Sequence, residues 1–247
     1  MISAGIDIGS RTVKLAVISN GDPVCRISET TFEPLAVCAS LLNGCEYDRI
    51  TATGYGRYLF KDHFECDVIS EIKAFALGAR AANEDCRTIL DIGGQDIKAI
   101  SLDQKGNLRK FEMNDRCAAG TGRFLEIMAM ALGCNVRDFG ELALSAEKFA
   151  ELNSMCTVFA ESEVISLLSK GTPRNEVALG IHNSIIGRVK SMLQRVTINN
   201  DFIFAGGVSL NSCMVELIEN VSGAKVSVPE NPQMVGALGA AIYGQDN

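Results

Sequence analysis

The same pattern of hydrophobic and polar positions occurs twice along the chain. A short apolar run ends in Asp7-Ile8-Gly9-Ser10, and a partly alternating run from Val13 to Ile18 follows it. This pattern predicts a strand, a tight turn and a second strand. Another apolar run, Thr88 to Gly94, again ends in Asp-x-Gly, and Ile97 to Leu102 follows it. Asp7 and Asp91 lie 84 residues apart, the difference between their numbers, so the sequence predicts two similar α/β halves.

The rest of the pattern supplies further strands and the helices. Strands are predicted at 24–31, 48–53, 107–113 and 202–204, and helices at 34–42, 71–82, 118–132, 157–169, 174–196 and 233–243. We expect one half over residues 1–85 and the other over residues 86–247, with the last helix able to pack back onto the first half.

Composition and charge limit the partners and the location expected for this protein. The chain has 247 residues, of which 47% are hydrophobic, and its net charge is -7 with the basic residues scattered. A nucleic acid is therefore not an expected partner. The N-terminus lacks the pattern of a secretory signal, and no apolar stretch approaches the roughly 20 residues that a membrane span needs. We expect a cytoplasmic protein without a membrane partner, in which most of the nine cysteines stay reduced.

The two Asp-x-Gly turns are suited to phosphate chemistry. Backbone amides in such a turn can bind phosphate, and the aspartate can hold a hydrated Mg²⁺. Ser10 and Lys14 add a hydroxyl and a cation to the first turn, and Gly93 and Gly94 allow close approach to the second. A single Asp-x-Gly is more often a plain turn after a strand. Its repetition, together with Gly206-Gly207, favours a nucleotide cleft, and the sequence contains no P-loop motif.

Three segments resemble a known superfamily. Asp7 to Ser10, Asp91 to Asp96 and Ala205 to Val208 resemble the two phosphate elements and the adenosine element of the actin, sugar kinase and Hsp70 superfamily. That resemblance implies an α/β fold of two ribonuclease-H-like halves around ATP. Asn114 to Phe124 and Cys156 to Val164 resemble one branch, the ATPase activators (archerases) of 2-hydroxyacyl-CoA dehydratases, which are related to ATPase subunits of benzoyl-CoA reductase.

The resemblance implies a shared iron-sulfur centre. Cys117 and Cys156 from each subunit of a homodimer would hold one 4Fe-4S cluster on the dimer axis. The predicted helices begin directly after these cysteines, so we expect each thiolate at the positive end of a helix dipole. The alternative for both residues is a buried free thiol, which is also the interpretation for the other seven cysteines.

The resemblance also implies the roles of the nucleotide residues. The first phosphate loop comprises Ser10, Arg11, Thr12, Val13 and Lys14, and the adenosine contacts are Gly206 and Gly207. Asp7 and Asp91 would contact Mg²⁺ through water, and Gln95 would orient the attacking water near Gly93 and Gly94. These expectations make Asp7, Asp91 and Gln95 the candidate catalytic residues.

The activity implied is ATP hydrolysis that drives a single electron at low potential. The electron would come from ferredoxin or flavodoxin and pass to a 2-hydroxyacyl-CoA dehydratase or a related benzoyl-CoA-reductase-like enzyme. Two alternatives share the fold: a small-molecule kinase of the N-acetylhexosamine type, which leaves Cys117 and Cys156 unexplained, and an ATP-dependent redox sensor that delivers no electron.

Overall fold

Two five-stranded sheets form the frame of the computed structural model. The structure describes residues 1–19, 23–117, 119–153 and 157–246. The strands of the first sheet are β1 (Ser3–Ile8), β2 (Thr12–Ile18), β3 (Val24–Glu29), β4 (Arg49–Thr53) and β5 (Asp67–Val68), in the order β3-β2-β1-β4-β5. The strands of the second are β6 (Thr88–Ile92), β7 (Ile97–Leu102), β8 (Leu108–Asn114), β9 (Phe202–Ala205) and β10 (Val226–Ser227), in the order β10-β9-β6-β7-β8. When β1 to β5 are matched in turn with β6 to β10, the two sheets have the same strand order.

The helices follow the strands of both sheets. They are α1 (Pro34–Leu42), α2 (Arg57–Lys61), α3 (Glu71–Ala82), α4 (Gly122–Ala131), α5 (Phe139–Leu144), α6 (Thr157–Ser169), α7 (Arg174–Leu193), α8 (Ser212–Ser222) and α9 (Val235–Asp246). Short 3-10 turns lie at Gly207–Leu210 and Pro232–Met234. In the described part of the chain, none of the helices has the length and apolar character needed to cross a membrane.

The predicted repeat extends to the pairing register. Ile8 pairs with Val13 across the first hairpin, and Ile92 pairs with Ile97 across the second, so each pair is displaced by the same 84 positions. β4 runs parallel to β1, and β9 runs parallel to β6. Because equivalent strands have equivalent neighbours, chemistry at the end of β1 has a counterpart at the end of β6.

Helices α3 and α9 lie between the two sheets and touch through glycines. A side chain at Gly78 of α3 would overlap the Val235 carbonyl, and one at Gly239 of α9 would overlap the Ala74 carbonyl. Such contact lets the two backbones pack at close range. On its other side α9 covers β1, where a side chain at Gly5 would overlap the helix backbone. The last helix therefore packs on the first sheet, although it follows the second in sequence.

The apolar residues of α3 pack on the opposite sheet. Ile72 and Phe75 share a buried cluster with Ile89, Ile100 and Ile203, which belong to β6, β7 and β9. Burial of such aliphatic side chains contributes roughly 1.5–3 kcal/mol each. The two sheets are joined by this exchange of helices: α3 follows the first sheet in sequence but packs on the second, and α9 follows the second but packs on the first.

The helix that follows Cys117 differs from the prediction. The pattern predicts a helix over 118–132, but α4 begins at Gly122, after a positive φ of 94° at Gly120 and an extended Thr121. The apolar face predicted for it is correct, since Phe124 and Met128 are buried. The short elements α2, α5, α8, β5 and β10 have no counterpart in the prediction.

Candidate functional site

The first turn places a paired carboxylate at the end of β1. Asp7 is buried, and the Lys14 ammonium on β2 lies 3.1 Å from its Oδ2 atom. The Gly9 amide donates to the Thr12 carbonyl at 3.1 Å and closes the turn. Gly54, directly after β4, has a φ of 87°, and any side chain there would overlap Asp7 Oδ1. Glycine at this position therefore lets the chain after β4 pack closely beside the carboxylate.

The second turn repeats this arrangement at the end of β6. Asp91 is buried, and Lys98 Nζ lies 3.0 Å from its Oδ2 atom. The Gly93 amide donates to the Asp96 carbonyl at 3.0 Å. Gly206, directly after β9, has a φ of 84°, and a side chain there would lie 2.5 Å from Asp91 Oδ1. The Asp91–Lys98 pair thus repeats the Asp7–Lys14 pair, and each lies beside a left-handed glycine.

Lys98 contacts more carboxylates than its counterpart Lys14. Its side chain is 2% exposed, and Nζ also donates to Asp96 Oδ2 at 2.5 Å and to Glu71 Oε2 at 3.0 Å. These three carboxylates raise the pKa of Lys98, although its burial opposes the charge. Burial raises the pKa of Asp91 to about 6, against the lowering effect of Lys98. For Asp91 the loss of hydration is the larger effect, because the carboxyl lies among buried strand residues.

The two turns approach each other at Gly94. A side chain on Gly94 would overlap the Arg11 side chain and lie 3.4 Å from Ser10 Oγ. Gln95, the next residue, is exposed, whereas Val13 is fully buried in the core of the first half. Val13 can therefore serve the first loop only through its backbone.

The N-terminus of α4 is bonded to the second turn. The Thr121 hydroxyl and the Arg123 amide both donate to the Gly94 carbonyl at 2.9 Å, and the Gly122 amide donates to the Gly93 carbonyl at 2.9 Å. These bonds satisfy helix amides that otherwise need a cap. The second turn and the start of α4 consequently form one hydrogen-bonded unit.

Cys117 precedes this unit and lies beside a cation. Its thiol is half-buried, and Arg188 Nη1 on α7 donates to its sulfur at 3.6 Å. The expectation of a thiolate at the first turn of a helix is wrong for Cys117, because α4 begins five residues later and its first amides bond the second turn. Cys156 lies outside the described residues. Among the residues that are described, no three potential metal ligands gather.

The predicted adenosine segment forms a tight turn after β9. The Gly206 amide donates to the Pro232 carbonyl at 3.0 Å, and the Ser209 hydroxyl donates to the Gly206 carbonyl at 2.7 Å. Gly207 is exposed, and a side chain there would meet Gln233 at 3.3 Å. The turn therefore packs the buried Gly206 beside the Asp91 carboxylate and leaves Gly207 exposed.

His182 is a satisfied core residue. Its Nδ1 atom lies 2.7 Å from the Ala178 carbonyl, and the Asn211 amide nitrogen lies 3.0 Å from its Nε2 atom. Burial lowers the pKa of His182 to about 4, so the ring is neutral near pH 7. The neutral ring donates from Nδ1 and accepts at Nε2, which ties α7 to the start of α8.

Comparison with known proteins identifies the family. The sequence profile of the BadF/BadG/BcrA/BcrD ATPase family matches residues 38–244. The chain belongs to this family. This member is 41% identical over 256 residues to the activator of lactoyl-CoA dehydratase of Anaerotignum propionicum, covering 100% of this chain and 98% of that protein. It is 38% identical over 257 residues to the 2-hydroxyisocaproyl-CoA dehydratase activator of Clostridioides difficile, covering 100% and 96%.

Comparison with solved structures identifies the fold of this family member. The activator of the 2-hydroxyisocaproyl-CoA dehydratase from Clostridium difficile with bound ADPNP superposes with a TM-score of 0.91 at 38% identity, covering 100% of this chain and 95% of that chain. A ROK family glucokinase from Streptomyces griseus superposes with a TM-score of 0.62 at 13% identity, covering 100% of both chains. The second likeness shows a shared fold alone. The predicted actin, sugar kinase and Hsp70 type of fold is confirmed.

Several residues of the site were missing from the sequence interpretation. They are Gly54, Glu71, Lys98 and Glu126. Lys98 carried a usable signal, since it follows Asp91 by the same seven positions that separate Lys14 from Asp7. Glu71 and Glu126 had no such signal, because their partners are distant in sequence.

Proposed function

We propose that this chain hydrolyses ATP between the two Asp-x-Gly turns and thereby drives one-electron transfer to a partner enzyme. The partner is a 2-hydroxyacyl-CoA dehydratase or a related benzoyl-CoA-reductase-like enzyme. One observation carries the proposal: the second turn is bonded to the start of α4, and Cys117 lies five residues before the first residue of that helix. A nucleotide bound at the turn would therefore act on the segment that follows the cysteine. The relatives named as dehydratase activators support the choice of partner.

We propose a set of nucleotide contacts in the two turns, and the approach of the turns to each other supports it. The proposed contacts to ATP are the backbone and side chains of Ser10, Arg11, Thr12 and Lys14, the backbone of Val13, Gly93 and Gly94, and the glycines Gly206 and Gly207. Asp7 and Asp91 would hold Mg²⁺ through water, and the ion would neutralise phosphate charge there. Each aspartate accepts a bond from a lysine at Oδ2 and has a glycine packed closely beside Oδ1, and its carboxylate chemistry suits a hydrated Mg²⁺. Gln95 is exposed and is the proposed residue that orients the attacking water.

The described cysteine fits an iron-sulfur ligand. We propose that Cys117 and Cys156 of each subunit hold one 4Fe-4S cluster in a homodimer, with ferredoxin or flavodoxin as donor. Four thiolate ligands give the cluster a negative charge, and Arg188 offers Cys117 a compensating cation and an N–H bond to sulfur. When bound, the cluster supplies the electron that the partner receives.

The residues of the chain carry the coupling. Loss of the γ-phosphate changes the charge at the second turn, and the Gly93 and Gly94 carbonyls transmit any shift to the first amides of α4. The packed face of α4, with Phe124 and Met128 in the core, makes the helix move as a rigid element. We propose two halves divided near residue 85, with α3 and α9 as the connection that accommodates their movement.

Iron analysis and ATP turnover on the same samples test this proposal. The protein is purified without oxygen, and iron, sulfide and subunit mass are measured per dimer. We expect about four irons per dimer, loss of iron in Cys117→Ala and Cys156→Ala, and continued ATP turnover in both. The matched control is Cys134→Ala, another half-buried thiol of the same half, which should keep its iron. An iron-free protein that phosphorylates a hexosamine would contradict the proposal and support a kinase.

Electron delivery separates an activator from a redox sensor. A low-potential reductant, ATP, the purified dimer and a 2-hydroxyacyl-CoA dehydratase component are mixed, and formation of the enoyl-CoA is followed. We expect product only with ATP and only with the cysteines intact. A dimer that keeps its iron and its ATP turnover but never activates any dehydratase would behave as a sensor.

A further inference from the structure

Glu126 joins the first phosphate turn to helix α4. The Arg11 guanidinium binds the Glu126 carboxylate through two nitrogens, Nε at 3.2 Å and Nη2 at 3.1 Å from Oε1, and Nη2 also lies 3.0 Å from Oε2. The two residues are 115 positions apart. Arg11 lies in the turn between β1 and β2, whereas Glu126 lies on the second turn of α4. This fork geometry fixes both side chains more closely than a single contact would.

This ion pair makes α4 the element that touches both phosphate turns. Thr121, Gly122 and Arg123 bond the carbonyls of the second turn, and Glu126 bonds the side chain of the first. Gly94 packs directly against Arg11, so the three parts form one contact. A change in the separation of the two turns must therefore strain either the amide bonds of α4 or its ion pair.

We infer that Glu126 is a positioning residue that couples the first phosphate turn to the Cys117 segment through α4. The inference rests on the proposed function. A phosphate bound at the first turn attracts the Arg11 guanidinium and competes with Glu126 for it. The strength of the Arg11–Glu126 pair thus depends on the nucleotide, and with it the position of α4. Without the carboxylate, α4 senses only the second turn.

The expected effect is moderate because the pair is partly exposed. The side chains of Arg11 and Glu126 are 41% and 27% exposed, so water and salt weaken their attraction. A pair of this kind changes an equilibrium by about two- to fivefold. The same carboxylate also bonds Arg123 Nη1 at 3.0 Å within α4, and that pair does not leave the helix.

Hydrogen exchange of the α4 amides tests the inference without any partner enzyme. Exchange over residues 117–131 is measured by mass spectrometry for the full dimer, at saturating ADP and at a saturating non-hydrolysable ATP analogue. In the wild type we expect exchange to differ between the two nucleotides. In Glu126→Ala this difference should fall about two- to fivefold. The matched control is Arg123→Ala, which removes only the pair within the helix and should keep the difference.

Two further variants complete the test. Glu126→Asp keeps the charge and should restore part of the difference. In an Arg11→Ala background, which already lacks the ion pair, adding Glu126→Ala should change the remaining difference no further. If the wild type responds to the nucleotide and Glu126→Ala responds equally, the inference is overturned and the proposed function stands. If the wild type itself shows no response, both the inference and the proposed coupling are overturned.

Discussion

Replacing Lys98 by methionine should leave the buried Asp91 and the partly buried Asp96 and Glu71 without their shared cation. Lys98 Nζ contacts Asp91, Asp96 and Glu71, and its side chain is 2% exposed. Methionine keeps much of the volume but removes the cation. Removing one partner of a buried ion pair typically costs about 3 to 5 kcal/mol. We expect Lys98→Met to lose that much stability near neutral pH, whereas Lys110→Met, on the exposed edge strand β8, should change it by less than about 0.5 kcal/mol.

The loss of stability in Lys98→Met should depend on pH, and the ionisation of Asp91 determines whether it grows or shrinks as the pH rises. The pKa of Asp91 is raised from 3.8 to about 6, which corresponds to about 3 kcal/mol of cost for ionising it in the folded chain. The folded chain therefore binds this proton more tightly than the unfolded chain, and stability falls as the pH rises through that interval. Without Lys98 the pKa of Asp91 rises further, because the cation that lowers it is gone. The variant should consequently lose more stability near pH 8 than near pH 5.

Urea unfolding followed by circular dichroism measures both effects. The free energy of unfolding is compared for wild type, Lys98→Met and the double variant Lys98→Met/Asp91→Asn at about pH 5 and about pH 8. The double variant should recover part of the loss near pH 8, since it no longer buries that unpaired charge. An equal loss at both pH values, or no recovery in the double variant, would refute the electrostatic argument.

Three other predictions concern Gly206, His182 and Arg188. Gly206→Ala should lower both the melting temperature and ATP turnover, because its φ is 84° and a side chain would overlap the Ile92 carbonyl. The control is Gly223→Ala, at a φ of 67° in open space, which should lower the free energy of unfolding by only about 1 kcal/mol. Burial lowers the pKa of His182 to about 4, so the free energy of unfolding of the wild type should fall by up to about 3 kcal/mol as the pH falls from 6.5 to 4. In urea unfolding, His182→Gln should remove most of this pH dependence. Arg188→Gln should lower the reduction potential of the loaded dimer in a spectroscopic titration, because its cation favours added negative charge; an unchanged potential would argue against contact with the ligand sulfur.

The repeated hairpin was predictable because its signal is local. The apolar strands, the Asp-x-Gly turns and the offset between Asp7 and Asp91 are all visible in short windows. Helices α1, α3 and α6 have the predicted bounds, since each carries either a start signal or a long apolar pattern. β5 and β10 are two residues long, which is too short for any periodicity, and α8 is fixed by the Asn211 cap on Met214.

The ionic contacts of the site could not be predicted in the same way. Glu71 meets Lys98 because α3 crosses from the first half onto the second sheet, and no local pattern reports that crossing. Arg11 and Glu126 meet only when both turns and α4 are in place. The start of α4 was missed for a related reason, since its amides bond Gly93 and Gly94 rather than continuing toward Cys117. Tertiary bonds decided where that helix begins.

The two halves differ in the carboxylates that Lys14 and Lys98 contact. This difference predicts that a substitution at Thr12 changes the affinity for ATP. Thr12 stands at the position equivalent to Asp96, because the Gly9 amide bonds the Thr12 carbonyl as the Gly93 amide bonds that of Asp96. Lys98 is thereby locked among carboxylates, whereas Lys14 contacts Asp7 and its side chain is 14% exposed. Thr12→Asp should give Lys14 a second carboxylate and add a negative charge near the proposed phosphate site.

We expect the KM for ATP to rise in Thr12→Asp. An added charge several ångströms from a phosphate costs about 1 to 2 kcal/mol near a protein surface, which is about five- to thirtyfold in affinity. Thr12→Asn has the shape of aspartate without the charge, so it loses only the Thr12 hydroxyl contact and should raise the KM by much less in the same phosphate-release assay. If the two variants gave the same KM, charge at position 12 would not control Lys14. A larger rise in Thr12→Asp would support a first half whose lysine is available to the nucleotide and a second half whose lysine pairs with Asp91.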